Sequence, residues 1–319
     1  MRFACYRLHI LLSGALALNV SIVLAQDYPT RPVRLITSGI GGGTDFSARM
    51  IAQGLTEAPL GQPVVVDNRS SAQASDTVSK APPDGHVLLL VAGNLWIGPL
   101  LTKMPYDPIK DFVAISITNR SPNILAVHPS LPVKTVKDLI ALGKARPGEL
   151  NYGSSSIGGT AHLAAELFQH MAGIRMVRVN YKSSTPVVND LIGGHIQLTF
   201  STAGVTTPHL KSGRLKALAV TTSEPSPMVP GVPAIAATLP GYEAAIVYGL
   251  FAPAGTPAGI VTRLSQTVIR YLGRADAKEK FFNAGLETVG TTPEQTAAYI
   301  KADMARMGKV IKDAGIKVD

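Results

Sequence analysis

The stretch VRLITSGIGGGTDFSARMIAQGLTEAPLGQPVVVD, Val33 to Asp67, sets the fold class. It opens on a short apolar, β-branched run, VRLIT (Val33–Thr37), and breaks at glycines. A helical pattern follows from Thr44 to about Leu60, with Phe46, Met50, Ile51 and Leu55 at helical spacing, before VVVD (Val64–Asp67) returns to strand character. Strand, helix and strand in so short a unit call for two parallel strands joined by a helix that covers the sheet.

The same alternation continues outward. HVLLLVA (His86–Ala92), introduced by the turn PPDG (Pro82–Gly85), and NILAVH (Asn123–His128) read as buried strands. Thr135 and Asp138 have the spacing of a helix N-cap and its partner, ahead of a helix through Ala145. Strands at LNYG (Leu150–Gly153), MVRVNY (Met176–Tyr181), IQLTF (Ile196–Phe200) and LKALAVT (Leu215–Thr221) are separated by helices over about Thr160–Ala172 and Thr185–Leu191, a block that reads as self-contained. Ser223–Tyr242, rich in Pro and Gly, reads as a long surface connection. A strand at YGLFAPA (Tyr248–Ala254) and helices near Pro257–Leu272, Ala275–Ala284 and Pro293–Ala314 complete the chain, with no internal sequence repeat. The expected class is α/β, with mainly parallel sheets flanked by helices.

Residues 1–25 have two arginines, no acid and a long apolar run from Leu8 to Leu24, with small residues at Val23 and Ala25. This is the pattern of a secretory leader cut before Gln26, the competing reading being an uncleaved anchor. Cys5 is the only cysteine and lies ahead of the apolar run, so the mature chain has no thiol for a disulfide, a nucleophile or a zinc site. The formal charge falls from +9 to +7 once Arg2 and Arg7 are removed. The charges are scattered and aromatics are few, which disfavours a nucleic-acid surface and leaves a mild attraction for anions.

Two loops could carry chemistry. In SGIGGGTDFSAR (Ser38–Arg49) a strand runs through glycines straight into a helix, converging backbone N–H groups and the positive end of the helix dipole. A dinucleotide fingerprint would use Gly39, Gly41 and Asp67, but Thr44 stands where its third glycine belongs and nicotinamide cofactors are scarce outside the cytoplasm. A carboxylate cradle and a plain tight turn, with Asp45 near the helix start, are the other readings. NYGSSSIGGTAHLAAELF (Asn151–Phe168) is a second cradle candidate, with Ser154, Ser155, Ser156 and Thr160 hydroxyls beside bare amides. Gly153, Ser155 and Ile157 break the G-x-S-x-G nucleophile elbow, His162 reads as a packed or capping residue, and the seven histidines show no metal spacing. In a parallel sheet the carboxyl ends of strands share one rim. That rim adds Asn94 in AGNLW (Ala92–Trp96), Lys182 in the Tyr181–Ser184 loop, and Ser201 in Phe200–Thr202, while Trp96 reads as packing.

Taken in order, YPTRPVRLI, GGGTDFSAR, VVVDNR, APPDGHVLL, LNYGSSSIGGTAHLAAELF, VNYKSSTPVVNDLIGGHIQLTF, SGRLKALAVT, GLFAPAGTP and EQTAAYIKADM resemble the Bug family of extracytoplasmic receptors of tripartite tricarboxylate transporters. The resemblance implies a two-domain, type II-like periplasmic binding protein, with domain 1 at 26–126 plus 248–319 and domain 2 at 127–247. It further implies a small organic acid held in the cleft by amides, hydroxyls and water, then delivered to membrane permease subunits by a monomer with no cofactor, metal or reaction. Carried over, the first cradle falls on Gly41, Gly42, Gly43, Thr44 and Asp45, and the second on Ser154, Ser155, Gly158, Gly159, Thr160 and His162. Ser38–Ile40 and Ser70–Ala74 depart from the family pattern, so ligand identity does not carry over. An exported enzyme acting on small carboxylic acids and a ligand-loaded sensory receptor are the competing functions.

Overall fold

The computed structural model describes residues 28–316 apart from 41–42, 59–60, 155–156 and 182. The expected leader, its cleavage site, Cys5, Gly41, Gly42, Ser155 and Lys182 lie outside the described residues.

Strands β1 (Val33–Ser38), β2 (Val64–Arg69) and β3 (Val87–Ala92) run parallel in the order β2-β1-β3. Each ends at the start of a helix: α1 (Gly43–Glu57), α2 (Ser71–Ser79) and α3 (Asn94–Leu101). The chain then runs along β4 (Phe112–Ser121), passes Pro122, and continues as β5 (Asn123–Val127) in a different sheet. After α4 (Val136–Ala145) the first pattern recurs in a new sequence. Strands β6 (Asn151–Ser154), β7 (Val177–Asn180) and β8 (Leu198–Thr202) lie in the order β7-β6-β8, with parallel pairing, and run into α5 (Thr160–Ala172), α6 (Ser184–Ile192) and α7 (Ala203–Lys211). Next come β9 (Lys216–Val220), a long return over 221–245, β10 (Ile246–Pro253), α8 (Ala258–Gly273), α9 (Ala275–Asn283), β11 (Glu287–Thr288) and α10 (Pro293–Asp313).

The result is a two-domain α/β protein with a six-stranded sheet, β11-β4-β10-β3-β1-β2, and a five-stranded sheet, β7-β6-β8-β5-β9. Both sheets are mixed rather than mainly parallel. β10 runs against β3 and β4, and β5 runs against β8 and β9, because these strands carry the chain between sheets without the crossover helix that parallel pairing needs. β5 belongs to the second sheet, so the chain leaves the first sheet at Pro122, ahead of the expected position near Ala126.

The continuous apolar run of β3 follows from helices on both faces of its sheet. Leu88 and Leu90 point into the core beneath α1, α8 and α9, while Leu89 and Val91 point into the opposite core, which Trp96, Phe112 and Phe251 also fill. The two helices α1 and α8 approach so closely that a Cβ on Gly54 would sit 2.3 Å from the Tyr271 ring.

Helix α10 ties the domains together. It starts with a full capping box, Thr292 with Gln295, and Pro at its first position. Its Ile300, Met307, Val310 and Ile311 share one apolar cluster with Phe112 and Phe251 of the first sheet and with Leu163 and Phe168 of α5. The return segment is not a plain surface connection. Ile235 and Tyr242 are fully buried, and the Tyr242 hydroxyl donates to the Ala164 carbonyl over 2.9 Å, because the return fills the gap between the second sheet and α10. Among the described residues no helix is long and apolar enough to cross a membrane.

Candidate functional site

In both domains the parallel strands deliver helix amino termini to one rim, and the second domain shows the consequence most directly. Gly159, Ser183 and Thr202 are the N-cap residues of α5, α6 and α7, and none makes a side-chain cap. First-turn N–H groups left without a cap need other acceptors, which is the condition for holding an anion. A cavity of about 100 Å³ lies there, lined by Asn123, Gly159, Thr160, Ala161, His162, Ser184, Ser201 and Thr202. Asn123 is fully buried, its backbone N–H donates to Thr221 Oγ1 over 2.9 Å, and among the described residues neither Nδ2 nor Oδ1 of its side chain has a partner. A buried amide without partners is costly unless something bonds it. Ser201 Oγ lies 3.0 Å from Thr199 Oγ1, which itself donates to the Gly153 carbonyl.

The loop ahead of α5 is held by its own helix. Gly158 adopts φ of 70°, the left-handed region open to glycine, and its N–H donates to His162 Nδ1 over 3.0 Å. That geometry puts the imidazole proton on Nε2, which faces Glu166 Oε1 at 3.6 Å. His162 therefore shapes the cradle from beneath. Ser154 is also committed: its Oγ accepts from Arg178 Nε over 2.6 Å.

Burial alone would raise the Glu166 carboxyl, but His162, Tyr152 and Gln169 outweigh it and hold it below its ordinary 4.5. A depressed carboxyl contributes stability that is present above the unfolded value and lost as pH falls through the folded one. The melting temperature should therefore drop as pH is lowered below 4.5, and the drop should be shallower in Glu166→Gln. Melting curves of the two proteins between pH 6 and pH 3 check this, and parallel curves would deny Glu166 the role.

In the first domain the glycine loop rests on a buried polar relay. Asn119 Nδ2 donates to Ser47 Oγ over 3.0 Å, and Ser47 Oγ donates to the Gly43 carbonyl over 2.7 Å. The Tyr248 hydroxyl, pushed up to about 12 by burial, lies 2.5 Å from where a Cβ on Gly43 would stand. Asp45 turns to its own scaffold: its Oδ1 accepts from Asn68 Nδ2 over 2.9 Å and lies 3.1 Å from Arg49 Nε. Asn68 Nδ2 also reaches the Gly39 carbonyl at 3.3 Å, so Asp45 and Asn68 fix the loop between them.

A larger interdomain cavity, about 200 Å³, brings Asn94 of the first domain together with Gly158, Gly159 and Thr160 of the second. Asn94 Nδ2 donates to Ser71 Oγ over 2.6 Å, joining the starts of α3 and α2. Among the described residues Gly43, Thr44 and Asp45 line neither cavity. Trp96 is packing as expected, 1% exposed and 6.2 Å from Phe251, and its Nε1 donates to Asp303 Oδ2 over 2.8 Å. Sequence reasoning missed Asn123 and Ser184. Asn123 gave no signal beyond opening a strand, whereas Ser184 follows a strand end and stood in the rim loop already singled out. No group of His, Cys, Asp or Glu among the described residues could hold a metal ion.

The chain is similar to known proteins over nearly its whole length. Protein BugT of Bordetella pertussis is 35% identical over 93% of this chain and 93% of its own length. Rpa4515 of R. palustris, solved with adipate, is 40% identical, covers 91% of this chain and 99% of its own, and superposes with a TM-score of 0.71. A TctC solute binding protein from Polaromonas, solved with no ligand, is 26% identical, covers 90% of this chain and 99% of its own, and superposes with a TM-score of 0.82. Residues 47–316 match the tripartite tricarboxylate transporter family receptor, TctC, and the chain belongs to that family.

Proposed function

We propose that the protein is an exported receptor, cut after Ala25, that closes its two domains on a small organic acid and delivers it as a monomer to the permease subunits of a tripartite tricarboxylate transporter. Buried Asn123, with both side-chain polar atoms unpartnered at the meeting point of three uncapped helix amino termini, carries this reading. Its Nδ2 donates to one carboxylate oxygen, and the Thr160, Ser184 and Ser201 hydroxyls and first-turn amides surround the other. Across the cleft, Asn94 lines the facing wall, and Gly43, Thr44 and Asp45 at the start of α1 are assigned to the opposing lip, with Gly41, Gly42, Ser155 and Lys182 as further ligand contacts in this reading. Ser154 and His162 act by holding that cradle's strand end and loop.

The domains exchange at Pro122 and within 221–245, a pair of crossings that serves as the hinge. The adipate of the R. palustris protein supports an aliphatic acid as ligand.

A thermal-shift screen tests the reading. Carboxylates should raise the melting temperature, by an amount corresponding to about 3 kcal/mol at a hundredfold excess over Kd. Thr160→Ala should weaken binding by on the order of 1 kcal/mol. Shifts produced by amines or neutral sugars, with none from any carboxylate, would overturn it.

A further inference from the structure

The carboxylate cradle accounts for one end of a ligand, and the neighbouring cavity bears on the other. Gly159 and Thr160 line both cavities, so the amino-terminal lip of α5 is a wall common to the two. Beyond that lip the larger cavity is mainly apolar, with Trp96, Ile97, Leu101, Leu163, Val247 and Met307 among the residues that line it. Its volume of about 200 Å³ exceeds the roughly 150 Å³ at which a dry apolar cavity admits benzene.

The charged groups on its far wall are engaged with one another. Asp303, 9% exposed, accepts from Trp96 Nε1 through Oδ2 and from Arg306 Nη2 through Oδ1 over 2.6 Å. Arg306 Nη1 stands 3.6 Å from Glu243. Two carboxylates thus face one guanidinium. A second anionic group placed there would meet net negative charge, so the part of a ligand that enters this chamber is uncharged. The buried Nε of Arg306 has no partner among the described residues and tolerates a neutral acceptor there.

We infer that the acid this receptor takes has an apolar body of about phenyl size, an alkyl chain or aromatic ring, seated between α3, α5 and α10 while its carboxylate occupies the Asn123 cradle. This rests on the carboxylate-receptor reading and narrows it, against compact hydroxylated acids. Chain length should then control affinity, because each methylene that reaches the chamber leaves water for apolar contact.

Titration of the mature protein with acetate, butyrate, hexanoate, 3-phenylpropionate, malate and citrate tests it. The expected result is a Kd that falls about fourfold per added methylene from acetate to hexanoate. 3-Phenylpropionate should bind at least as tightly as hexanoate. Trp96, the single tryptophan of the chain, should change its fluorescence with these acids. Ala245 and Leu101 line the chamber without being fully buried. Ala245→Phe and Leu101→Phe, which fill the chamber, should flatten the length dependence. Binding of malate or citrate with a flat alkyl series overturns the inference and leaves the carboxylate receptor standing. No binding of any acid overturns both. Length dependence that survives in two variants melting like the parent places the body elsewhere and also overturns it. Should either variant fail to fold, the alkyl series on the parent protein still decides.

Discussion

Replacing Asn123 with leucine is expected to remove most carboxylate affinity while leaving the ligand-free protein at least as stable as the parent. The side chain is fully buried, its two polar atoms bond nothing among the described residues, and leucine has nearly its shape. A hydrogen bond from an amide to a charged oxygen is worth about 1.5–3 kcal/mol, so affinity should fall roughly ten- to a hundredfold. In the ligand-free protein the substitution removes a buried polar side chain without a partner among the described residues. Asn123→Asp should abolish binding outright by setting one carboxylate against another. Calorimetry and melting curves check the pair. A clear loss of ligand-free stability in Asn123→Leu, with affinity intact, would make Asn123 a structural residue.

The second large effect concerns α10. Asp303→Leu should destabilise the protein by about 3 kcal/mol, at the lower end for breaking a buried ion pair because Glu243 remains near Arg306. The melting temperature should fall by roughly 5–10 °C, followed most directly through Trp96, whose Nε1 loses its acceptor. Adding Arg306→Met should restore much of the loss, since an apolar replacement leaves no charge uncompensated. Equal melting of the parent and Asp303→Leu would show that the pair contributes nothing to holding α10.

Much of this architecture is legible in the chain because local pattern and burial agree. VRLIT, HVLLLVA and LNYG are strands since helices cover both sheet faces, and the Thr135–Asp138 spacing does form a capping box. What escapes is structure whose apolar pattern is diluted by buried polar groups. β4, FVAISITNRS, is not picked out as a strand because Ser116, Thr118 and Asn119 interrupt its apolar pattern, yet all three are fully buried and hydrogen-bonded to their surroundings. α2, SAQASDTVS, is likewise not picked out as a helix, because few of its side chains are apolar, and Ser70–Ala74, which stand where the family has a glycine-rich loop, open it. α3 and α7 each carry a proline, which argues locally against a helix.

The candidate site divides along the same line. Gly158–Thr160, Asn94 and Ser201 could be picked out because small polar residues at the carboxyl end of a strand have few other reasons to cluster. The attachment of Asp45 to Asn68 and of Ser154 to Arg178 depends on contacts between distant residues, and no spacing announces it.

Pro122 alone separates β4 from β5, and Asn123 is the next residue. The amide offered to an anion therefore stands one peptide from the swivel, and its main chain is clamped both ways to Thr221 on the returning crossing. If the two crossings act as the proposed hinge, occupancy at that point sets the angle between the halves over a short lever arm. A permease subunit, on that proposal, would then need only to sense that angle, at surfaces far from the cargo. The segments that depart from the family pattern, Ser38–Ile40 and Ser70–Ala74 at the start of α2, would then be free to diverge while that outward signal stayed the same.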